Sequence, residues 1–257
     1  MEYGSFASLI FITVASLLGS FVDAIAGGGG LISVPAYLLG GFPPHFALGT
    51  NKFSATFGSL SSTVEFFRNG KIDFRLVKYV IPCTLIGAIL GVRSVLLLNQ
   101  DFLYPLVSVM ILAVGLYTIF KKDLGMVSTY ELKSRNQILM GMFFGFALGF
   151  YDGFFGPGTG SFLLFIFIKF FGMDFVNAGG NTKVLNFTSN VTSLVVFALA
   201  GKINYSIGLF AGAAALIGSI IGTKLAIRKG ASFVKPIFLI MSFAVFIKMI
   251  YEMISGS

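Results

Sequence analysis

Four charged side chains stand within apolar stretches of this sequence. Asp23 and Asp152 each come shortly before a run rich in glycine. Lys52 and Lys183 each close a short motif of Gly, Asn and Thr. A charge at membrane depth is costly and marks a functional site by default. The sequence therefore predicts a site that contains these two acids and two lysines, although lysines that follow loops could instead extend to an interface.

The glycine-rich runs, AGGGG at 26–30 and GPGTG at 156–160, are expected to interrupt helices, because glycine destabilises a helix interior. A helix that begins after such a break presents free backbone N–H groups and the positive end of its dipole. Pro157 is expected in the first turn of the second of these helices. The backbone groups predicted to bind an anion are those of Gly28, Gly29, Gly30, Gly158, Thr159 and Gly160. In the alternative interpretation, the glycines only permit close helix packing.

Polar side chains follow both lysine motifs and predict hydrogen-bond donors for the same anion. The candidates are Asn51, Thr182, Asn186 and Asn190. Asn186 and Asn190 are four residues apart and share a helix face. Such side chains can equally form hydrogen bonds between membrane helices.

Three roles remain open for Asp23 and Asp152. They could carry the coupling proton, pair with Lys52 and Lys183, or cap the helices that start at the breaks. His45, the only histidine, falls in a Pro-Pro segment and is expected to be solvated. With one histidine and the single Cys83, we expect no metal site, no cofactor and no catalytic constellation.

The composition is that of a multi-pass membrane protein. Hydrophobic residues make up 56% of the chain and charged residues 11%, against about 25% charged in soluble domains. The net charge of +8 comes from basic loops and predicts no nucleic-acid partner. We expect an all-α polytopic protein of the cytoplasmic membrane that contacts lipid and is a monomer or a homodimer.

The hydropathy pattern predicts ten membrane segments. They lie at 5–22, 30–41, 50–67, 77–98, 102–120, 136–151, 158–172, 178–199, 204–225 and 234–252. The segments 30–41 and 158–172 are too short or too bounded by glycine to cross alone, since a span needs about 20 residues. We therefore predict eight full spans and two half-helices.

The two halves of the chain are copies of each other. Asp23 aligns with Asp152 at an offset of 129 residues, and GTNK aligns with GNTK at an offset of 131. On the second register GKIDF matches GKINY, and IGAILGVR matches IGSIIGTK. Internal repeats of this size are typical of transporters. The predicted repeats are 1–125 and 126–257, which form one integrated membrane domain.

Loop charges predict that the repeats are inverted. Loops 68–78, 121–135 and 224–235 carry the basic residues and are expected inside, whereas 99–101, 200–205 and both termini are expected outside. About five membrane segments per repeat satisfy this arrangement. In inverted repeats, broken helices meet near the middle of the membrane, so we expect the two glycine breaks to face each other across one cavity.

The motifs resemble those of the TauE/SafE sulfite exporter family. The pattern D-x-x-A-G-G-G-G-x-x-x-x-P, followed by P-P-H-x-A-x-G-T-N-K, recurs as D-G-F-F-G-P-G-T-G and N-T-K. The resemblance covers essentially the whole chain. It implies a bacterial or archaeal permease for small sulfur-containing anions such as sulfite or organosulfonates.

The sequence thus predicts a secondary transporter of small sulfur-containing anions that works by alternating access. No ATP-binding motif is present, so the energy is expected from a gradient of protons. A passive anion channel with the same pore is the alternative. A membrane enzyme is a third class, for which the sequence offers no catalytic residues.

Overall fold

The computed structural model describes residues 5–99, 101–103, 106, 128–132 and 135–229. Eight helices lie wholly within these ranges. They are α1 (Phe6–Ala26), α2 (Gly30–Leu39), α3 (Pro44–Arg68), α4 (Phe74–Leu96), α5 (Arg135–Phe154), α6 (Thr159–Lys169), α7 (Phe175–Leu199) and α8 (Tyr205–Lys229). The predicted segment 234–252 and almost all of segment 102–120 lie outside the described residues.

Four of these helices, α1, α4, α5 and α8, are long and apolar enough to cross a membrane. The helices α2 and α6 have only 10 and 11 residues and match the two predicted half-helices. The helices α3 and α7 have 25 residues each, but composition alone does not mark them as spans. They carry the Lys, Asn, Ser and Thr side chains of the predicted site, and these lower their hydropathy.

The two halves contain the same helices in the same order. The first two helices of each half start 129 residues apart, and the next two start 131 residues apart. The packing is exchanged between halves, because α1 packs on α8, α4 packs on α5, and α3 packs on α7. The helical class is confirmed, while the inversion of the two halves relative to a membrane stays a prediction.

Glycine allows the exchanged helix pairs to come into backbone contact. A Cβ atom at Gly87 of α4 would overlap the backbone of α5 at Phe146, and one at Gly218 of α8 would overlap the backbone of α1 at Leu17. These two glycines occupy equivalent positions in the IGAILGVR and IGSIIGTK motifs. Small residues at helix crossings are the usual means of close packing in membranes.

The Pro43-Pro44 pair starts a helix, whereas the sequence analysis placed a loop there and began the helix at residue 50. Pro44 is the first residue of α3, the position at which proline costs no hydrogen bond. The prediction of a solvated His45 was therefore wrong. His45 is 5% exposed, and its Nε2 lies 3.0 Å from the carbonyl oxygen of Val95.

Candidate functional site

The two glycine breaks are in direct contact. The Ser161 backbone N–H donates to the Gly27 carbonyl at 2.9 Å, and the Ser161 hydroxyl donates to the Ala26 carbonyl at 3.1 Å. A Cβ atom at Gly27 would overlap the backbone of Gly160. The breaks therefore touch each other rather than face each other across open space, and the cavity lies beside their contact.

Both half-helices begin without a side-chain cap. The N-cap residues are Gly29 for α2 and Gly158 for α6, and neither makes a capping side-chain hydrogen bond. Gly30 and Gly160 open onto one cavity, and within the described residues no acceptor faces their backbone N–H groups. Because α6 begins at Thr159, Pro157 precedes the helix, and its predicted place in the first turn was wrong.

The four charged residues form two ion pairs that cross between the halves. Lys52 Nζ lies 2.9 Å from Asp152 Oδ2, and Lys183 Nζ lies 2.6 Å from Asp23 Oδ2. Lys52 and Lys183 are 3% and 2% exposed, so neither extends to an interface. Each lysine lies two turns inside its helix, α3 or α7, which keeps its side chain within the protein.

The pair Lys52–Asp152 belongs to a network of side chains. Lys52 Nζ also donates to Asn190 Oδ1 at 3.3 Å, and Asn190 Nδ2 donates to Ser59 Oγ at 3.3 Å. The Ser189 hydroxyl donates to Asp152 Oδ2. The same hydroxyl lies 3.2 Å from the Asn186 carbonyl oxygen. This pair is held by groups that can change partners.

The pair Lys183–Asp23 is held by the main chain. Lys183 Nζ donates to both the carboxylate and the carbonyl oxygen of Asp23. Asp23 Oδ1 accepts from the Gly29 backbone N–H at 3.3 Å, where α2 begins. Asp23 thus combines two of its three predicted roles, as ion-pair partner and as helix cap. For Asp152 the structure shows the ion pair, and a proton-carrying role for either acid stays a prediction.

The cavity beside the breaks is small and polar. The space open to the centre of a water-sized sphere is about 50 Å³. A single water needs about 10–15 Å³ on this measure, so the cavity suits a small ion rather than a large ligand. The predicted site residues that line it are Asp23, Gly29, Gly30, Asn51, Lys52, Asp152, Gly158, Thr159, Gly160, Asn186 and Asn190.

Three predicted site residues lie outside the cavity wall, namely Gly28, Thr182 and Lys183. Lys183 lies behind Asp23, with its ammonium group bound to that residue. Thr182 is 1% exposed, and its hydroxyl has no partner among the described residues. Their predicted direct contact with substrate is not supported by this geometry, because neither side chain borders the cavity.

Sequence reasoning missed one wall of the cavity. Ser16, Gly19 and Ser20 of α1 line it, together with Ser33 of α2. Counting back from Asp23, the three α1 residues lie three, four and seven positions away, which places them on the face that carries the carboxylate. This spacing was the available signal, and it was obscured by the apolar residues between them.

Two cavity-lining side chains have buried polar atoms without a partner among the described residues. These atoms are the hydroxyl oxygen of Ser16 and Oδ1 of Asn186. Ser16 is 2% exposed and Asn186 6% exposed. A buried polar atom without a hydrogen bond costs about 1–3 kcal/mol. These two groups are therefore suited to contact a bound polar ligand.

Matching loop contacts lie at the starts of α3 and α7. The Asp73 backbone N–H donates to Asn181 Oδ1 at 3.0 Å, and the Asn204 backbone N–H donates to Thr50 Oγ1 at 3.0 Å. In each case the loop after the third helix of one half binds the third helix of the other half. The equivalent positions of these contacts follow the internal repeat.

The Asp73 contact includes further charged and polar groups. Asp73 accepts from Arg75 and from the Tyr130 hydroxyl, which lies 3.0 Å from Oδ2. The hydrogen bond from the Arg75 side chain lowers the pKa of Asp73, with a smaller contribution from Tyr130. Burial and the neighbouring Asp73 charge raise the pKa of Tyr130. Asp73 is thus held in its ionised form.

Comparisons with known proteins identify the family. The chain matches the family described as "Sulfite exporter TauE/SafE" over residues 12–249. It is 37% identical to a "Probable membrane transporter protein" of Haemophilus influenzae, with 95% of each chain covered. It is 36% identical to "Probable membrane transporter protein ORF9" of Sinorhizobium, covering 98% of this chain and 96% of the relative. No solved structure matches the chain.

A third relative extends the same result to a more distant sequence. "Probable membrane transporter protein YfcA" of Escherichia coli is 33% identical, with 92% of this chain and 87% of the relative covered. These relatives are named as membrane transporters and not as enzymes, and the apolar helices α1, α4, α5 and α8 agree with a multi-pass membrane protein. The chain belongs to the TauE/SafE family of membrane transporters.

Proposed function

We propose that this protein is a secondary transporter of small sulfur-containing anions, such as sulfite or organosulfonates, coupled to protons. The observation that carries the proposal is the polar cavity at the junction of two uncapped helix N-termini, in a chain of this family. Backbone N–H groups and dipole ends favour negative charge there before any side chain contributes.

Gly30 and Gly160 bind the anion through their backbone N–H groups, and Lys52 supplies the nearest positive charge. Asn51 and Asn190 lie in the same wall, and Asn186 presents its unsatisfied amide. Hydrogen bonds to an anion are charge-assisted and about twice as strong as neutral ones. The small volume favours compact ions with a sulfite or sulfonate group over large organic anions.

Alternating access follows from the exchanged packing of two inverted repeats, 1–125 and 126–257. Helices of each half pack on those of the other, and matching loop contacts lie at the starts of α3 and α7. In this proposal the contact at Asp73–Asn181 opens to one side of the membrane, and that at Asn204–Thr50 opens to the other. The protein works in contact with lipid, as a monomer or a homodimer.

Uptake into proteoliposomes tests the proposal. Purified protein should accumulate labelled sulfite or methanesulfonate against a concentration gradient when a pH difference is imposed. A Lys52→Ala variant should lose this uptake while remaining inserted in the liposomes. Flux that only follows the anion gradient would instead indicate a passive channel, and no flux of either anion would refute the proposed substrate class.

A further inference from the structure

We propose that Asp152 is the residue that takes up the coupling proton, and that its protonation releases Lys52 to bind the anion. In the same assignment, Asp23 stays ionised and holds Lys183 as a structural pair. This inference rests on the proposed function, since it assigns the coupling step to one of two acids that the repeat makes equivalent.

The balance of charge requires a proton to accompany the anion. The two acids and two lysines sum to zero, and both pairs are formed without any ligand. A monovalent anion that entered this cavity alone would be an uncompensated buried charge, which costs several kcal/mol. If Asp152 binds one proton, Lys52 neutralises the anion and the sum remains zero. One proton then moves with each monovalent anion.

The surroundings of Asp152 accommodate its neutral form. The protonated carboxyl group can donate to the Ser189 oxygen, because a hydroxyl both donates and accepts. The Ser189 hydrogen, which points to Asp152 in the ionised state, can turn to the Asn186 carbonyl at 3.2 Å. Lys52 retains Asn190 Oδ1 at 3.3 Å and gains the anion. Each of these polar groups keeps a partner in both states.

The surroundings of Asp23 fit only its ionised form. Its carboxylate accepts from the Lys183 ammonium group and from the Gly29 backbone N–H. Both groups can only donate, so a protonated Asp23 would find no acceptor in either of them. Lys183 does not border the cavity, so releasing it would leave a buried charge without a ligand. The repeat equivalence of Asp23 and Asp152 therefore does not extend to their chemistry.

Few other titratable groups approach Asp152. Tyr151, its neighbour in α5, donates to the Pro157 carbonyl at 2.7 Å. The other charged residues on the helices packed against α5 are Arg75, Lys78 and Arg93 of α4, Lys169 of α6, all exposed, and Lys183 of α7, which is paired with Asp23. Lys52 of α3 is thus the charged group that responds to the proton on Asp152.

Binding of methanesulfonate as a function of pH tests this assignment, because a sulfonate stays ionised across the range used. For the wild type, linkage predicts that affinity falls by up to about tenfold per pH unit once Asp152 is ionised. Asp152→Asn mimics the neutral form and should bind methanesulfonate with no dependence on pH. In liposomes it should no longer carry protons with the anion, as followed by an internal pH dye.

The matched control is Asp23→Asn at the equivalent position of the other repeat. This variant should be less stable to heat, but the fraction that folds should keep the pH-dependent affinity of the wild type. If Asp152→Asn fails to fold, Ser189→Ala decides. Loss of the charge-assisted bond to the carboxylate should move the midpoint of the pH profile upward by up to about one unit. Ser189→Thr should restore it.

The outcomes separate the two proposals. Wild-type protein that binds and moves neither methanesulfonate nor sulfite would refute the proposed function, and this inference with it. Wild-type coupling that persists in Asp152→Asn, or is lost in Asp23→Asn alone, would refute the inference and leave the function intact. An unchanged pH midpoint in Ser189→Ala would refute the exchange of hydrogen bonds.

Discussion

Lys52 Nζ lies 2.9 Å from Asp152 Oδ2, and the two residues come from different halves of the chain. Lys183 and Asp23 form the reciprocal pair at 2.6 Å. Each half therefore supplies the acid beside its own glycine break and the lysine that neutralises the acid of the other half. Neither half can form its part of the site alone.

Removing one member of the Lys52–Asp152 pair should be more damaging than removing both. Lys52→Met leaves a buried carboxylate without its partner, which costs about 3–5 kcal/mol in comparable pairs. The double variant Lys52→Met/Asp152→Leu should recover most of that stability and still fail to transport. Thermal unfolding in detergent and liposome uptake measure the two effects. A double variant that is less stable than the single variant would contradict this account of the pair.

Gly27→Ala should disrupt the contact between the two breaks. The residue has φ 78°, and an added Cβ atom would overlap the backbone of Gly160. Gly201→Ala is the matched control, since Gly201 has φ 66° and open space around it. The control should cost only the backbone strain, about 1–2 kcal/mol, and Gly27→Ala should cost more. Equal losses of thermal stability would show that the contact is not tight.

Asn186 and Asn190 should separate binding from stability. Asn186→Leu removes an amide whose oxygen has no partner among the described residues, so the stability of the protein should be unchanged or increased. Its affinity for the anion should fall by roughly tenfold, the effect of one hydrogen bond to a charged group. Asn190→Leu breaks contacts to Lys52 and Ser59 and should lower stability as well. Thermal-shift titration with methanesulfonate measures both quantities.

Cross-linking the two loop contacts tests alternating access. In a Cys83→Ser background, Thr50→Cys/Asn204→Cys and Asp73→Cys/Asn181→Cys place thiols where the loops meet the opposite half. Oxidation of either pair should stop uptake, and a reducing agent should restore it, because each contact must open once per cycle. Continued uptake with both pairs oxidised would argue against opening at these contacts.

The Asp73 contact should be sensitive to acid. Its pKa is lowered by the hydrogen bond from Arg75, so the ionised form stabilises the folded protein. That contribution is complete above the unfolded value of about 3.9 and is lost as the pH falls through the lower folded value. The melting temperature of Asp73→Asn should therefore fall less than that of the wild type in this acidic range. Parallel curves for the two proteins would contradict the assignment.

Local patterns in the sequence were sufficient for the helices and for most of the cavity wall. Hydropathy and glycine placement located α2 and α6 to within a few residues, because these properties act over one or two helical turns. The pairing of Asn186 with Asn190 on one face followed from helical spacing alone. The repeat offsets of 129 and 131 were visible in the sequence and recur in the helix starts.

Local patterns failed where packing against a distant segment decided the outcome. His45 looked like a loop residue, but it lies in the first turn of α3 against Val95 of α4. Thr182 and Lys183 looked equivalent to Asn51 and Lys52, yet they lie outside the cavity wall. Ser16 lines the cavity because α1 packs beside α3, a relationship that no spacing within α1 reveals.

The sequence by itself determined that Asp23, Asp152, Lys52 and Lys183 are the charges of a repeated membrane site. Only the tertiary structure decided that they pair crosswise, and that just one pair has its lysine at the cavity. The physical reason is that each charge lies beside its own helix break, whereas its partner is brought by a helix more than a hundred residues away. Exchanged packing of the two halves makes that choice.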